Sequence, residues 1–522
     1  MRWGWLLILA ACRPDTADSV AARAGGSEHV AAGSGGLSTP GSGAELPKLV
    51  EHGGLSFEIV DDATGQRMPG KLTIVGVRGT HDPKLSKGDI GTEDDTSLAA
   101  YNRVFSLGGV GVVPVPVGTY DVTFSRGIEW TIETDRVHVT TDGVQLHARL
   151  KHAVDTPHWL SADFHVHAAS SPDSRVPMRD RVYEFASDGV DMIVSTDHNV
   201  VSNYAPLISE LHAEKYLATA TGDEITTGDW GHFGAFPLPH EMETEGHGAI
   251  PVRKKTPVDI FKHVRETAPE AVIDVHHPRL ETATGYFILG KFDDTADKAT
   301  RKGFSYDFDA LEILNGYQDT NRKKVERVMQ DWFALLDRGH IVTGTGNSDT
   351  HHLTYNLGGY PRNYVLVDKD DPATITPVDV AKAVKAHHAF FTTGPFIEFT
   401  VGSTGIGDLA PAPGGHATAT VVVRAAPWVG VSRVIIYVAG KEWKRLDVAP
   451  SEQAERFRQT LDLAVPADTY VVVRVEGDGS LAPVVGGKDV TVHPFALTNP
   501  IFLDVNGNGK YDPPLPHGTH TD

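Results

Sequence analysis

Between Pro157 and Pro395 one pattern recurs, and it constrains the fold more than any other feature of the chain. A stretch with apolar residues at helical spacing gives way to a short apolar run, and a histidine or aspartate follows the run. Val182, Phe185 and Ala186 lead through Gly189 to Met192-Ile193-Val194 and then His198. Val258, Ile260, Phe261 and Val264 lead to Ala271-Val272-Ile273 and His277. Val325, Val328, Met329, Trp332, Leu335 and Leu336 lead through Gly339 to Ile341-Val342 and Asp349. A period near 3.6 alternating with continuous apolar runs reads as helix followed by buried strand. Repeats of that unit predict an α/β fold, a mostly parallel barrel or sheet covered by helices. The polar residues then fall at C-terminal strand ends, where barrels of parallel strands assemble their active sites.

The flanks have a different rhythm. From residue 49 to 152, short alternating runs such as Leu55-Ser56-Phe57-Glu58-Ile59-Val60 and Thr119-Tyr120-Asp121-Val122-Thr123-Phe124 are broken by Gly, Pro and Asp, which predicts a β-sandwich. The phrases Asp61-Asp62-Ala63-Thr64-Gly65 and Val115-Pro116-Val117-Gly118-Thr119-Tyr120 resemble the transthyretin-like kind. Residues 396–522 return to alternating strands and predict a second sandwich, making three domains with the segment 157–395. The chain closes on a loop in which Asp504, Asn506, Asn508, Gly509 and Asp512 occupy positions of a calcium-binding loop, but Leu515 stands where the bidentate Glu is expected. A Ca²⁺ site and a plain Asn/Gly turn both fit.

At the other end, Met1-Arg2, the apolar run Trp3 to Ala11, and Leu9-Ala10-Ala11-Cys12 resemble a bacterial lipoprotein signal. That resemblance implies cleavage after residue 11, a lipid on Cys12 and anchorage to the cell envelope facing the periplasm or exterior; a plain secretory peptide is the alternative. Residues 12–48 are rich in Gly, Ala and Ser and read as a flexible tether. Cys12 is the sole cysteine of the chain, which excludes a disulfide framework and thiolate zinc modules. A net charge of −21 argues against nucleic acid as a partner. With 26 histidines available, metal binding has to be of the imidazole and carboxylate kind.

The strongest local signal is Asp163-Phe164-His165-Val166-His167, where strand alternation sets both imidazoles on one face. Paired histidines on a strand can be structural, so the weight comes from what accompanies them. Asp173 follows, then Thr196-Asp197-His198, Gly222-Asp223-Glu224, Gly231-His232-Phe233, His276-His277-Pro278 and Asn347-Ser348-Asp349-Thr350-His351. In order and approximate spacing these phrases resemble the polymerase and histidinol phosphatase (PHP) superfamily of metallohydrolases, in particular its carbaryl-hydrolase-like branch. Phe391-Thr392-Thr393-Gly394-Pro395 fits the same branch. The resemblance implies a distorted (βα)7 barrel flanked here by the two sandwiches. It also implies one metal on His165, His167, Glu224 and Asp349, a second sharing Glu224 with His232 and His277, and a third on Asp173, His198 and His351. Asp173 departs from relatives that carry histidine there.

Several neighbours have competing readings. Alternation lets only one of His276 and His277 face inward, and His277 is chosen because the family ligand directly precedes proline. His352, His387 and His388 adjoin motif positions or each other without needing to touch a metal. Asp197 either orients a ligand histidine or caps a helix. Arg175 and Arg362 either clamp an anionic substrate or are ordinary surface arginines, and Asn315 lies in a family-like phrase.

Nitrogen and oxygen donors without thiolate suit two or three ions of Zn, Mn or Fe, with positions left for water and substrate. A metal-activated water is then the expected nucleophile, attacking a small extracytoplasmic ester. Phosphoester hydrolysis is the first expectation, and carbamate or carboxylic ester or amide hydrolysis the alternative. A non-catalytic, metal-containing binding lipoprotein is the rival from another class. Oligomeric state is not legible.

Overall fold

A computed structural model of the protein describes residues 53–515 apart from 89, 95, 281–283, 296–297, 317–321, 355 and 487–490. The signal-like segment, Cys12 and the tether lie outside the described residues. Among those residues no helix is long and apolar enough to cross a membrane.

Two sheets in the N-terminal region enclose one apolar core. The strand Leu55–Asp61 pairs antiparallel with Val110–Val113 and parallel with Val144–Leu150. A six-stranded sheet is built around Gly70–Gly76 and Gly118–Ser125. Phe57 and Ile59 from one sheet meet Leu72, Ile74, Val122 and Phe124 from the other, as the alternating pattern requires.

The helices of the central segment follow their periodicity. Arg322–Asp337 buries Val325, Val328, Met329, Trp332, Leu335 and Leu336 along one face. Pro257–Thr267 starts with a capping box between Thr256 and Asp259 and buries Ile260, Phe261 and Val264. Val258 belongs to the same sequence pattern but faces outward, 49 % exposed. Met178–Ser187 buries Val182, Phe185 and Ala186 and precedes the strand Met192–Ser195.

Their assembly corrects the expected barrel. The protein is mostly β, 38 % strand against 14 % helix, and among the described residues its strands form several sheets with no closed barrel. One central sheet runs Ala218–Ala220, Met192–Ser195 and Trp159–Val166 in parallel, then turns antiparallel at Arg362–Leu366 and Ala389–Thr392. The other runs Asp223–Thr226, His232–Phe236, Val272–Val275, Ala310–Asn315 and Thr343–Asn347. Asp223–Thr226 and His232–Phe236 form an antiparallel pair joined by residues 227–231, where a (βα)7 fold needs a helical crossover. Isolated bridges join the backbone of the two sheets, among them His198 to Glu224 and Val166 to Thr350.

Nor is Pro395 a sheet boundary. Ala389–Thr392 pairs with Phe495–Thr498, so the first central sheet continues into the C-terminal strands Thr469–Glu476, Arg433–Val438 and Lys441–Asp447. A three-stranded sheet of Phe396–Val401, His416–Arg424 and Glu455–Ala464 packs against it through Ile397, Val421, Val423, Val434, Val471 and Val473. The C-terminal sandwich therefore shares a sheet with the central region.

Candidate metal centre

The bridges from His198 to Glu224 and from Val166 to Thr350 lie where the ends of the central strands face each other, and all nine sequence-predicted donors gather there. His165 is the last residue but one of the strand Trp159–Val166 with His167 just beyond it, and alternation turns Asp163, His165 and His167 to one side. Phe164 and Val166 point away into two apolar clusters. Asp163 braces the site by accepting the backbone N–H groups of Ser348 at 3.1 Å and Gly359 at 2.8 Å.

Glu224 is the hub. Its carboxylate is fully buried and faces six imidazoles: His198 at 2.7 Å, His276 at 3.0 Å, His165 at 3.1 Å, His232 at 3.2 Å, His277 at 3.3 Å and His167 at 3.5 Å. Asp349 Oδ1 lies 3.2 Å from His165 Nε2 and 3.3 Å from His167 Nε2. Toward solvent, Asp173 Oδ2 reaches His198 Nε2 at 2.9 Å and His351 Nε2 at 3.2 Å.

Some of these approaches are hydrogen bonds, as from His276 and His232 to Glu224 Oε1 and between His198 and Asp173, but those at the centre are not. His165 Nε2, His167 Nε2 and Glu224 Oε2 are buried yet make no hydrogen bond of acceptable geometry. Buried polar atoms are ordinarily paired. Atoms that crowd one another at off-line angles are arranged as ligands aimed at common points, and a divalent cation fits them. Four groups have donor atoms within 4.8 Å of one another: His165, His167 and Glu224; His165, His277 and Asp349; His198, Glu224 and His232; and His167, Asp173, His198 and His351. These groups can hold metal ions. They share members differently from the family-implied partition, His167 joining the outer group and His198 also the Glu224 group.

The electrostatics follow from this crowding. Burial opposes protonation of His165, but the carboxylates of Asp349, Glu312 and Glu224 outweigh it and hold the ring well above its ordinary pKa. Burial would raise Glu224, and the imidazoles of His232, His165 and His198 overcome it and hold the carboxyl well below the usual range. His167 is dominated by burial and falls to about 3, which keeps its nitrogen free of a proton.

Glu312 was not singled out in the sequence. It is buried behind the donors, accepting from His165 Nδ1 at 3.0 Å, the His277 backbone N–H at 2.7 Å, Asn315 Nδ2 at 2.9 Å and Asn347 Nδ2 at 3.0 Å. A proton held on Nδ1 by a carboxylate leaves Nε2 as the metal-facing atom. The sequence signal was weak, one acidic residue inside the apolar strand Ala310–Asn315, where burial without partners is costly. Asn315 also donates to Asp349 Oδ2 at 3.0 Å.

The alternation argument fails at His276-His277. The strand ends at Val275, and His277 takes φ +28°, a left-handed conformation that a non-glycine residue adopts only at a cost. That turn lets both rings reach Glu224. His276 stacks on His165 with centroids 3.6 Å apart, while only His277 belongs to a donor group.

Other sequence readings are corrected or narrowed. Arg362 is fully buried and donates to the backbone carbonyls of Gly359, Gly189 and Asp188, so it cannot clamp a substrate. Asp197 neither orients a ligand ring nor caps a helix: it accepts the Ala168 N–H at 2.7 Å and the Ser202 hydroxyl at 2.5 Å, fixing the backbone beyond His167. Arg175 is exposed on the loop that carries Asp173. His387 bonds Thr343 and His388 pairs with Asp408, both outside the cluster, and His352 offers its carbonyl to Arg181. The Asp504 loop folds as a turn. Asp504 accepts N–H groups of Gly507, Asn508 and Gly509, and Asn506 and Asn508 donate to Asp512.

Compared with known proteins, the sequence matches no family model and no curated protein. Among solved structures, an engineered protein is similar over 62 % of this chain at 14 % identity and a TM-score of 0.16, a likeness too slight to carry an argument. The chain spans about half of it, 52 %.

Proposed function

We propose that this chain is a metal-dependent hydrolase of small esters, with a donor set of the kind found in the PHP superfamily and its carbaryl-hydrolase-like branch. The observation that supports it is the convergence of nine donors, at whose centre His165 Nε2, His167 Nε2 and Glu224 Oε2 are buried without a hydrogen bond. A purely structural metal site is usually closed and mononuclear. Here one carboxylate is shared among donor groups, and Asp173 is open to water with its side chain 49 % exposed.

Divalent ions in such a site, two or three of Zn, Mn or Fe, supply Lewis acidity and lower the pKa of water toward about 7. The protein's part is to hold His165 through Glu312, to keep His167 unprotonated by burial, and to leave the Asp173, His198 and His351 side accessible to substrate. Overlapping donor groups suit an electrophile that offers several oxygens, so a phosphoester is the favoured substrate over a carbamate or carboxylic ester. The Met1–Cys12 segment supports a lipid-anchored, extracytoplasmic enzyme.

Elemental analysis of the purified protein, with hydrolysis assays on p-nitrophenyl phosphate, bis-p-nitrophenyl phosphate and 1-naphthyl methylcarbamate, tests this reading against a His165→Ala/His167→Ala variant. Two or three metals per chain and turnover lost in the variant are expected, with the phosphoesters preferred. Metal-free protein, or bound metal without ester turnover, favours a binding lipoprotein instead.

A further inference from the structure

We propose that the N-terminal sandwich is a working part of the outer donor group, with Arg103 and Arg181 as positioning residues for the loops that carry Asp173 and His351. The inference rests on the metal-centre reading above.

The two halves of the cluster are supported differently. His165, Glu224 and His277 stand on or beside central strands, and Glu312 braces His165 and His277 from within. Asp173 and His351 stand on loops outside any strand or helix, so something else must fix them. The N-terminal sheet meets these loops directly. Leu98, Ala100 and Phe105 form one apolar cluster with Val176, three residues past Asp173, with Leu353, two past His351, and with Tyr183 on the intervening helix. Arg103, 3 % exposed, donates from the same sheet to the carbonyl oxygens of Thr354 and Gly486.

Helix Met178–Ser187 carries the second connection. Arg181 is fully buried and donates through Nε to the His167 carbonyl at 2.9 Å, and through Nη2 and Nη1 to the carbonyl and hydroxyl of Thr350, each at 3.0 Å. One guanidinium thus joins the backbone of His167, a member of both the Glu224 group and the outer group, to the residue before His351. Glu184 pairs with Arg181 and accepts the Gly358 N–H at 2.9 Å on the far side of the same loop. The N-terminal module holds both ends of this helix: the Gly91 N–H donates to Asp180 at 2.8 Å, and Lys71 pairs with Asp188 at 2.7 Å, both side chains fully buried. Buried cations across such an interface are poor stabilisers compared with apolar packing. Their directional bonds to chosen carbonyls set loop geometry, which apolar packing does not.

Cobalt(II) titration of the full chain purified in detergent and stripped of metal, followed by visible absorption and elemental analysis, separates the two halves. His351→Ala marks the binding class that belongs to the outer group. Arg103→Met, whose side chain contacts no donor, is expected to weaken that class about 10- to 100-fold, the usual effect of losing a ligand's support, while the inner class stays within about twofold. Arg103→Lys, which keeps the charge but not the two-carbonyl reach, is expected to fall between wild type and Arg103→Met. Both classes unchanged in Arg103→Met, or both weakened equally in a variant with wild-type near-ultraviolet circular dichroism, overturns the inference. Should Arg103→Met not fold, Arg103→Lys decides alone: selective loss in the outer class supports it and wild-type binding overturns it. Failure of the wild type to bind cobalt overturns the metal-centre reading itself, a result distinct from the others.

Discussion

Replacing Glu312 by Gln tests how the donors are held, because the change keeps shape and removes only charge and acceptor capacity. All four groups facing this carboxylate donate to it. His165 Nδ1 and Asn347 Nδ2 reach Oε1, and the His277 N–H and Asn315 Nδ2 reach Oε2. A Gln side chain offers one oxygen and one NH₂, so its NH₂ meets either the His277 N–H and Asn315 Nδ2, or Asn347 Nδ2 and a His165 ring that can switch tautomer and accept. At about 1–3 kcal/mol for each buried donor left without an acceptor, the metal-free protein should lose about 1–6 kcal/mol. The metal should bind about 10- to 100-fold more weakly, since His165 loses the carboxylate that fixes its tautomer and raises its basicity. Urea unfolding of metal-free protein and cobalt titration of the same preparation measure the two effects. A Glu312→Gln variant with wild-type stability and wild-type metal affinity would refute the assignment of Glu312 as the brace of the inner donors.

Three further outcomes follow from particular contacts. A Cβ at Gly234 would lie 2.3 Å from His276 Nε2, and His276 is pinned between His165 and Glu224, so Gly234→Ala should cost about 1–3 kcal/mol by overpacking and weaken metal binding; wild-type urea midpoints and affinity would contradict this. Burial, then the neighbouring His388, lowers the pKa of His387 from 6.5 to about 4, so between those values the unfolded chain takes the proton first and stability falls as pH falls. For a partly exposed ring the loss is about 1–2 kcal/mol, and a His387→Gln variant should show a shallower decline of the urea midpoint from pH 6.5 to 4 than wild type; equal slopes would exclude the contribution. If Cys12 carries a lipid, wild type made in a bacterial host should partition into detergent and Cys12→Ala into the aqueous phase, and identical partitioning would reject the anchor.

What the sequence disclosed follows from how local each determinant is. The donors were legible because most sit in motifs of two or three consecutive residues, and His198, His277 and Asp349 follow apolar runs. That periodicity also located the helices Met178–Ser187, Pro257–Thr267 and Arg322–Asp337. Whether the strands close into a barrel is a different kind of question, because it depends on pairings between distant segments. The run Phe495–Thr498 reads like any other strand, and nothing local shows that it pairs with Ala389–Thr392 and carries the central sheet into the C-terminal region. The turn from Thr227 to Gly231 makes the same point, since it holds Asp223–Thr226 and His232–Phe236 antiparallel where repetition of the helix–strand unit predicted a crossover.

The supports were hidden for a related reason. Glu312 lies 147 residues from His165, and Arg103 lies 251 residues from Thr354, so neither pairing leaves a spacing to recognise. Each looks unremarkable where it stands: an acid in an apolar strand, an arginine in a sandwich. The alternation rule failed at His276-His277 because it assumes extended backbone, whereas His277 takes a left-handed turn whose N–H is met by a carboxylate from a distant strand. A ligand set can therefore be read from short motifs, whereas the geometry that would make those ligands a metal centre is distributed over contacts that only the folded chain creates.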